Sequence, residues 1–301
     1  MYNSFLDPRA QEDIDTYVEK IIKDLGISEP PVRLENVIEL LKLDRQFYSS
    51  TNTGLLLETC HKLKVAGKQV LLRPSIVLDA IKKWDLRALY VPDKKRILID
   101  ETLPKAKQRW AEGHEIIHSI IPWHDSVLHG DQKQTLSIGC HTQIEAEANY
   151  GNGRLLFLQD IFTEQLFDSD LNFQAVKKLS QKFGNTMTTT LWRSVEAMKL
   201  PAVGFVSQHP KKALIDGQPS IRYFVRSREF ADQFEGITGS DMFGNIQSYC
   251  YGNRGPIGKG EVVLTDSNGI QHIFLFETFF NGYDALTLGI HQHERKFSIS
   301  I

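Results

Sequence analysis

Two histidines and a glutamate lie close together in the stretch RWAEGHEIIHSII, a little past one third of the chain. His114 and His118 are four residues apart, so in a helix both imidazoles lie on one face, one turn apart. Two imidazoles placed in this way can bind one Zn²⁺ at about 2.0–2.1 Å each. Glu115 can then take a proton from a water whose pKa the metal lowers to roughly 7. The pattern indicates a hydrolytic zinc site, and the alternative is a pair of hydrogen-bonded core histidines.

A hydrolytic zinc site also needs a third protein ligand and leaves the fourth position open for water. No further histidine follows at the spacing His-x-x-Gly-x-x-His, which argues against the metzincin arrangement. The later stretch HTQIEAEANYGNGRLLF offers two carboxylates instead, Glu145 and Glu147. Because they are two residues apart, both cannot face one metal from a single helix. The residues alone leave the choice between them open.

The elements that must position these residues are mostly helices. Apolar residues at helical spacing predict helices over 8–26 and 33–43. The segment DRQFYSS is predicted to be extended, and LRALYVPDKKRILID to form a hairpin with strands Arg87–Val91 and Arg96–Asp100. The further predicted helices are Pro104–Ile121, His141–Leu158, Asn172–Phe183 and Met187–Met198, the last with Thr186 as its N-cap.

The pattern changes after Pro201. From there the segments AVGFVS, IRYFVRS, QHIFLFETFF and DALTLGIHQH alternate as strands, separated by glycine-rich loops such as YGNRGPIGKGE. The sequence therefore predicts an α+β protein with two domains. Residues 1–200 form a mainly helical domain with a small β-sheet on its N-terminal side, and residues 201–301 form a β-rich C-terminal domain.

Composition narrows the range of partners. The chain has 301 residues and a net charge of −2, which argues against direct nucleic-acid binding and against an anionic membrane as the main partner. A signal peptide is not predicted at the N-terminus, and no window approaches the length of a transmembrane span. The three cysteines, Cys60, Cys140 and Cys250, are widely spaced, which suits a reducing cytoplasm.

The two motifs together resemble the ImmA/IrrE-type metallopeptidases. That family has an Ala-His-Glu-x-Gly-His helix, then a helix with the pattern Glu-x-x-Ala-Asn/Asp-x-Phe-Ala-x-x-Leu-Leu-x-Pro. The resemblance covers roughly residues 10 to 200, and its core is AEGHEIIHSIIPWHDSVLHGD with IEAEANYGNGRLLF. Within it Glu145 matches the ligand position, and residues 148 and 149 match the Ala-Asn pair. The resemblance implies a zincin-like fold and the metal ligands His114, His118 and Glu145, with Glu147 as the alternative third ligand.

Five positions depart from the family pattern. Gly113 stands where alanine usually precedes the first histidine, and Ile117 replaces a glycine. Tyr150-Gly151 departs from the Phe-Ala region, and Leu158 replaces the terminal proline. We expect Ile117 to put bulk beside the metal-binding turn, and each glycine to weaken its helix by about 1 kcal/mol relative to alanine. A distorted or weakly active site is therefore one expectation.

The resemblance implies an intracellular zinc endopeptidase whose substrate is a protein partner, a helix-turn-helix transcriptional repressor. It also implies that a C-terminal domain can sense a signal, as the region after Pro201 would. An alternative is a non-proteolytic regulatory protein with a structural zinc, which acts by protein–protein contact. A third hypothesis is a DNA-binding regulator that uses the helix Met187–Met198, and the near-neutral charge argues against it.

Other polar residues near the motifs are candidates for supporting roles. His124 and His129 could orient a substrate or stabilise an oxyanion, and His141 and Tyr150 could donate to that oxyanion. Asn149 is a candidate partner for a ligand histidine, because the second ring nitrogen of such a histidine needs a hydrogen bond. The non-functional alternatives are that the histidines are polar loop residues and that the tyrosine occupies a core position.

Overall fold

The computed structural model describes residues 5–48, 88–91, 95–124, 138–168, 170–214 and 217–295. The protein is mixed α+β, as predicted. Contacts between Cα atoms divide the chain into two compact units. The N-terminal unit comprises Leu6–Ile161 with Lys182–Asn185, and the C-terminal unit comprises Phe162–Gln181 with the chain from Thr186 onward. The division therefore falls near Phe162, whereas the sequence placed a boundary near Pro201.

The N-terminal unit combines helices with a small mixed sheet. Its elements are α1 (Pro8–Asp24), α2 (Leu34–Leu41), β1 (Asp44–Tyr48), β2 (Ala88–Val91), β3 (Arg96–Asp100), α3 (Lys105–Ile120) and α4 (Ile138–Leu156). In the described sheet β3 lies between the other strands, parallel to β1 and antiparallel to β2. Helix α3 packs on β2, β3 and α4, and α1 also packs on α4, through buried residues such as Ile14. The two helices predicted to carry the site are therefore neighbours.

A proline decides where α3 ends and where the chain goes next. Ile121 follows the last helical residue and is extended (φ −87°, ψ 110°), because a residue before proline is kept out of the helical region. Pro122 then starts a new helical turn, in which the His124 backbone N–H donates to the Ile121 carbonyl at 3.1 Å. This turn brings His124 next to α3, where its side chain contacts His118.

Helices α3 and α4 approach closely where each has a glycine. A Cβ on Gly151 would lie 2.8 Å from Cγ2 of Ile117 and 3.0 Å from Cγ2 of Ile14. A Cβ on Gly113 would overlap the side-chain amide of Asn152, whose Nδ2 donates to the Trp110 carbonyl at 2.9 Å. Real Cβ atoms do not come so close in packed interiors. Both glycines are therefore required by the distance between the helices.

The C-terminal unit contains a sheet and its covering helices. Its elements are α5 (Asp160–Phe167), which begins in the N-terminal unit, α6 (Phe173–Phe183), α7 (Met187–Ala197), β4 (Ala202–Ser207), β5 (Ile221–Arg226), α8 (Arg228–Gln233), α9 (Gly239–Tyr249), β6 (Gly255–Thr265), β7 (Gln271–Phe280) and β8 (Ala285–Glu294). The described strands are antiparallel in the order β5-β4-β8-β7-β6. Helix α7, with Thr186 as its N-cap as predicted, packs on β4, β5 and β8. This contact groups it with the strands.

Strand β6 corrects one prediction, because its sequence GPIGKGEVVLT overlaps the segment predicted as a glycine-rich loop. The glycines are needed for packing. A Cβ on Gly258 would overlap the Tyr249 carbonyl oxygen, and one on Gly260 would lie 2.9 Å from the Tyr249 ring. Helix α9 thus lies directly against the strand. Helices α5, α8 and α9 were also not predicted from the sequence.

Candidate metal centre

Three side chains from α3 and α4 bring their ligand atoms together. Nε2 of His114 lies 3.1 Å from Nε2 of His118 and 3.2 Å from Oε2 of Glu145. Nε2 of His118 lies 3.7 Å from Oε1 of Glu145. Among the described residues these three form the group of histidine and carboxylate ligands that could hold a metal ion. They are the three ligands expected from the sequence and the resemblance.

The spacing of these atoms fits a bound cation. Ligand atoms at about 2.0–2.2 Å from a tetrahedral ion are about 3.3–3.6 Å from one another. The observed distances are close to this range, at 3.1 Å between the two imidazoles, 3.2 Å from His114 to Oε2 of Glu145 and 3.7 Å from His118 to its Oε1. Two imidazoles and a carboxylate are also a donor set that transition metals accept. The side chain of His118 is 5% exposed and that of Glu145 is 42% exposed. The group is therefore closed on the α3 side and open on the Glu145 side, where a substrate could approach.

Glu115 lies on the buried side of this group. Burial, with a smaller contribution from the charge of Glu145, raises the pKa of Glu115 to about 7, and His114 and the Tyr90 backbone N–H oppose the rise. The N–H of Tyr90 belongs to β2, so the sheet beneath α3 holds the carboxyl group in place. A carboxyl group with this pKa can both take up and release a proton near neutral pH. This property suits a general base.

His114 is held from α4. Burial alone would lower the pKa of His114, but a hydrogen bond to Glu145, the charge of Glu115 and a hydrogen bond to Asn149 together raise it. Asn149 lies one turn after Glu145 on the same helix, so one face of α4 supplies both partners. The sequence identified Asn149 as a candidate for this contact, and the structure places it there.

His118 is held by a chain of buried polar side chains. Its Nδ1 lies 3.0 Å from Nδ1 of His124, and Nε2 of His124 lies 2.9 Å from Oε2 of Glu147. Trp123 Nε1 donates to the same Glu147 oxygen at 2.6 Å, and Gln143 Nε2 donates to Oε1 at 2.8 Å. Burial lowers the pKa of His124 in spite of its hydrogen bond to Glu147. Burial would raise the pKa of Glu147, but the hydrogen bonds from Trp123, His124 and Gln143 lower it overall.

The structure gives several predicted residues other positions. Glu147, the alternative third ligand, contacts His124 and not the ligand histidines. The hydroxyl of Tyr150 donates to Oδ2 of Asp15 at 3.1 Å, so it is engaged with α1. His129 and the side chain of His141 lie outside the described residues.

Three hydrogen-bond donors that matter here were not predicted from the sequence. The donors Trp123 and Gln143 were not singled out, although Gln143 lies four residues before Glu147, a spacing at which helical side chains meet. The backbone N–H of Tyr90 carries no sequence signal, because any residue except proline offers the same donor. Trp123 lies next to His124 in the turn after Pro122, so only the fold brings it to Glu147.

Comparison with known proteins adds information on the fold alone. No family model matches the chain, and no curated protein is similar to it at a significant level. A solved structure described as a Mycobacterium tuberculosis transcriptional regulator has a similar fold, with a TM-score of 0.50 at 11% sequence identity. The match covers 94% of this chain and 90% of that one. At this identity the likeness concerns the path of the chain.

Among the described residues, no helix combines the length and the apolar character that crossing a bilayer requires.

Proposed function

We propose that this protein is a zinc-dependent endopeptidase of the ImmA/IrrE type, which cleaves a specific protein partner with a metal-activated water. The observation that carries the proposal is the convergence of His114, His118 and Glu145 on one side of the buried carboxyl group of Glu115. Two histidines and one glutamate are the ligand set of several zinc peptidases, and such catalytic sites leave one position open. The zinc-like spacing and the exposure of Glu145 agree with this arrangement.

In this proposal each residue has a defined task. Zn²⁺ supplies the Lewis acid that acidifies a water and polarises the scissile carbonyl. The carboxylate of Glu115 accepts the proton of the attacking water and later gives it to the leaving amine. Its raised pKa, about 7, lets this carboxyl group both hold and release a proton near neutral pH. The Tyr90 N–H keeps the carboxylate aimed at the site.

The partner is proposed to be a helix-turn-helix transcriptional repressor, so that cleavage relieves repression. The support for this step is the resemblance of the two motifs to ImmA/IrrE-type peptidases. A structural neighbour described as a transcriptional regulator agrees with a role in transcription, although the likeness is one of fold. The C-terminal unit is then the candidate for the part that receives a signal.

The alternative is a regulatory protein that holds zinc for structural reasons and acts by contact. A structural zinc site has four protein ligands, whereas three converge among the residues that the structure describes. The two functions therefore differ in coordination as well as in activity. A site with an open position favours the peptidase.

The test uses the purified full chain loaded with zinc. Metal content is measured by elemental mass spectrometry, and cleavage is measured on a proteome-derived peptide library and on a helix-turn-helix repressor encoded beside this protein. We expect one zinc per chain and new N-termini that disappear in Glu115→Gln, although this variant still binds zinc. Cleavage by Glu115→Gln at the wild-type rate would exclude the proposed mechanism. Stoichiometric zinc and repressor binding without cleavage would establish the contact-based alternative.

A further inference from the structure

A buried hydrogen-bonded chain runs from the ligand His118 through His124 to Glu147, and neither of the last two residues has a task in the proposed reaction. His124 is 0% exposed and Glu147 is 1% exposed. Burying a carboxylate and an imidazole costs free energy unless every polar atom finds a partner. Here each described step of the chain is 2.9–3.0 Å long. Such an arrangement in the core beside a ligand needs an explanation beyond packing.

The direction of each hydrogen bond follows from the groups that can only donate. The indole N–H of Trp123 donates to Oε2 of Glu147, so this oxygen acts as an acceptor. The same oxygen therefore accepts from Nε2–H of His124. A neutral imidazole carries one N–H, so Nδ1 of His124 has a lone pair and accepts in turn. The proton between the two rings must then belong to Nδ1 of His118.

This assignment fixes the state of the ligand. With its proton on Nδ1, His118 has its lone pair on Nε2, the atom that lies 3.1 Å from Nε2 of His114 in the ligand group. We infer that His124 and Glu147 are positioning residues, which hold His118 in the tautomer and orientation that bind the metal. The inference rests on the proposed metal site, and it assigns Glu147 a role at one remove from the ion. Ligand histidines commonly donate their second N–H to such a partner.

The turn after α3 makes this arrangement possible. Pro122 ends the helix and returns the chain so that His124 lies beside His118, six residues back. Glu147 and Gln143 come from α4, which also carries Glu145. The hydrogen bonds from His118 through His124 to Glu147 thus join the helix of the two histidine ligands to the helix of the carboxylate ligand. The same hydrogen bonds can fix both the tautomer of His118 and the separation of the two helices.

The tautomers can be measured on the metal-free wild type. Long-range ¹H–¹⁵N spectra of the ¹⁵N-histidine-labelled full chain distinguish Nδ1–H from Nε2–H imidazoles. We expect Nδ1–H for His118 and Nε2–H for His124. The opposite tautomer at His118, or an even mixture, would overturn the inference. This measurement needs no variant and no substrate.

Metal affinity supplies the second measurement. Competition with a chromophoric chelator should show that His124→Phe and Glu147→Leu weaken zinc binding about 10–100-fold, with a changed Co²⁺ absorption spectrum. Glu147→Gln is the conservative rescue, since its amide oxygen can still accept from His124 if Gln143 turns its own amide, and it should bind zinc more tightly than Glu147→Leu. The control is Tyr150→Phe, which removes a hydrogen bond from α4 to Asp15 and leaves the hydrogen bonds from His118 to Glu147 intact, so its zinc affinity should equal that of the wild type.

The outcomes separate this inference from the proposed function. Unchanged zinc affinity and Co²⁺ spectrum in a folded His124→Phe would overturn the positioning role, even if the wild type is an active peptidase. If the tautomers and affinities are as expected but no substrate is cleaved, the positioning role stands and the peptidase proposal fails. Thermal unfolding of each variant shows whether it is folded, and if His124→Phe is not, the tautomer spectra and Glu147→Gln decide.

Discussion

Replacing Glu115 with glutamine is expected to stabilise the metal-free protein at neutral pH but not in acid. Burial, assisted by the charge of Glu145, raises the pKa of Glu115 from 4.5 to about 7. Below pH 4.5 the carboxyl group is protonated in both the folded and the unfolded protein, so ionisation costs nothing on folding. As the pH rises above 4.5, the Glu115 carboxyl group ionises first in the unfolded protein. Folding must then either protonate this carboxylate again or bury it in its charged form, and both cost free energy.

The size of the effect follows from the two pKa values. The interval from 4.5 to about 7, at roughly 1.4 kcal/mol for each pH unit, corresponds to about 3 kcal/mol. The free energy of unfolding of the wild type should therefore fall by up to this amount, relative to Glu115→Gln, as the pH increases across that interval. Above it the difference is constant, because the group is then ionised in both states. Glutamine keeps an acceptor for the Tyr90 N–H, so this contact is preserved.

Urea unfolding of the chelator-treated proteins at about pH 5 and about pH 8 measures the effect. Tryptophan fluorescence follows the unfolding of both units, because Trp110 and Trp123 lie in the N-terminal unit and Trp192 lies in the C-terminal unit. The exposed Glu19 on α1 provides the control, since Glu19→Gln should change stability by less than about 0.5 kcal/mol at either pH. Zinc should reduce the difference between wild type and Glu115→Gln, because a nearby cation favours the carboxylate. A difference that is the same at both pH values would refute the reasoning.

Three further predictions concern packing and a helix cap, each measured by urea unfolding. In Gly151→Ala the steric cost of the new Cβ is about 1–3 kcal/mol, of which the higher helix propensity of alanine offsets about 1 kcal/mol. In a double-mutant cycle, Gly151→Ala combined with Ile117→Ala should destabilise the protein by less than the sum of the two single effects. Additive effects would show that the two positions are not in contact. Gly258→Ala should destabilise the C-terminal unit by about 1–3 kcal/mol, because the new Cβ meets the Tyr249 carbonyl, and unchanged stability would contradict this. Thr238→Ala should cost about 1 kcal/mol through loss of the capping box of α9, and a loss below about 0.3 kcal/mol would count against it.

The sequence predicted best what depends on neighbours along the chain. The strand Arg96–Asp100 has the bounds predicted for it, and Lys105–Ile120 differs by one residue at each end from the predicted helix. The spacing of His114 and His118 is a property of any helix, so their shared face followed directly. Strand β6 was missed because its glycines are typical of a loop, and the reason for them is the distant Tyr249. Local patterns carry no information on such contacts.

The same limit applies to the candidate site. His124 was a candidate to orient a substrate or stabilise an oxyanion, with a polar loop residue as the alternative, because its position near the motif is visible in the sequence while the direction of the turn after Pro122 is not. Glu147 was the alternative ligand because it is a carboxylate close to Glu145, and in the structure it faces His124. Residue types identified the participants correctly. Which of these residues could bind the metal, and which hold the ligands in place, depends on how α3 and α4 pack together, and this packing follows from the fold.

The departures at positions 117 and 151 are one packing solution and not two separate defects. Ile117 was expected to crowd the metal-binding turn, yet its side chain is fully buried and lies against the position where Gly151 lacks a Cβ. The large Ile117 and the small Gly151 therefore complement each other across the contact between α3 and α4. The same two helices carry His118 and Glu145, whose Nε2 and Oε1 atoms lie 3.7 Å apart. The packing of this pair of residues therefore helps to set the separation of the two ligands.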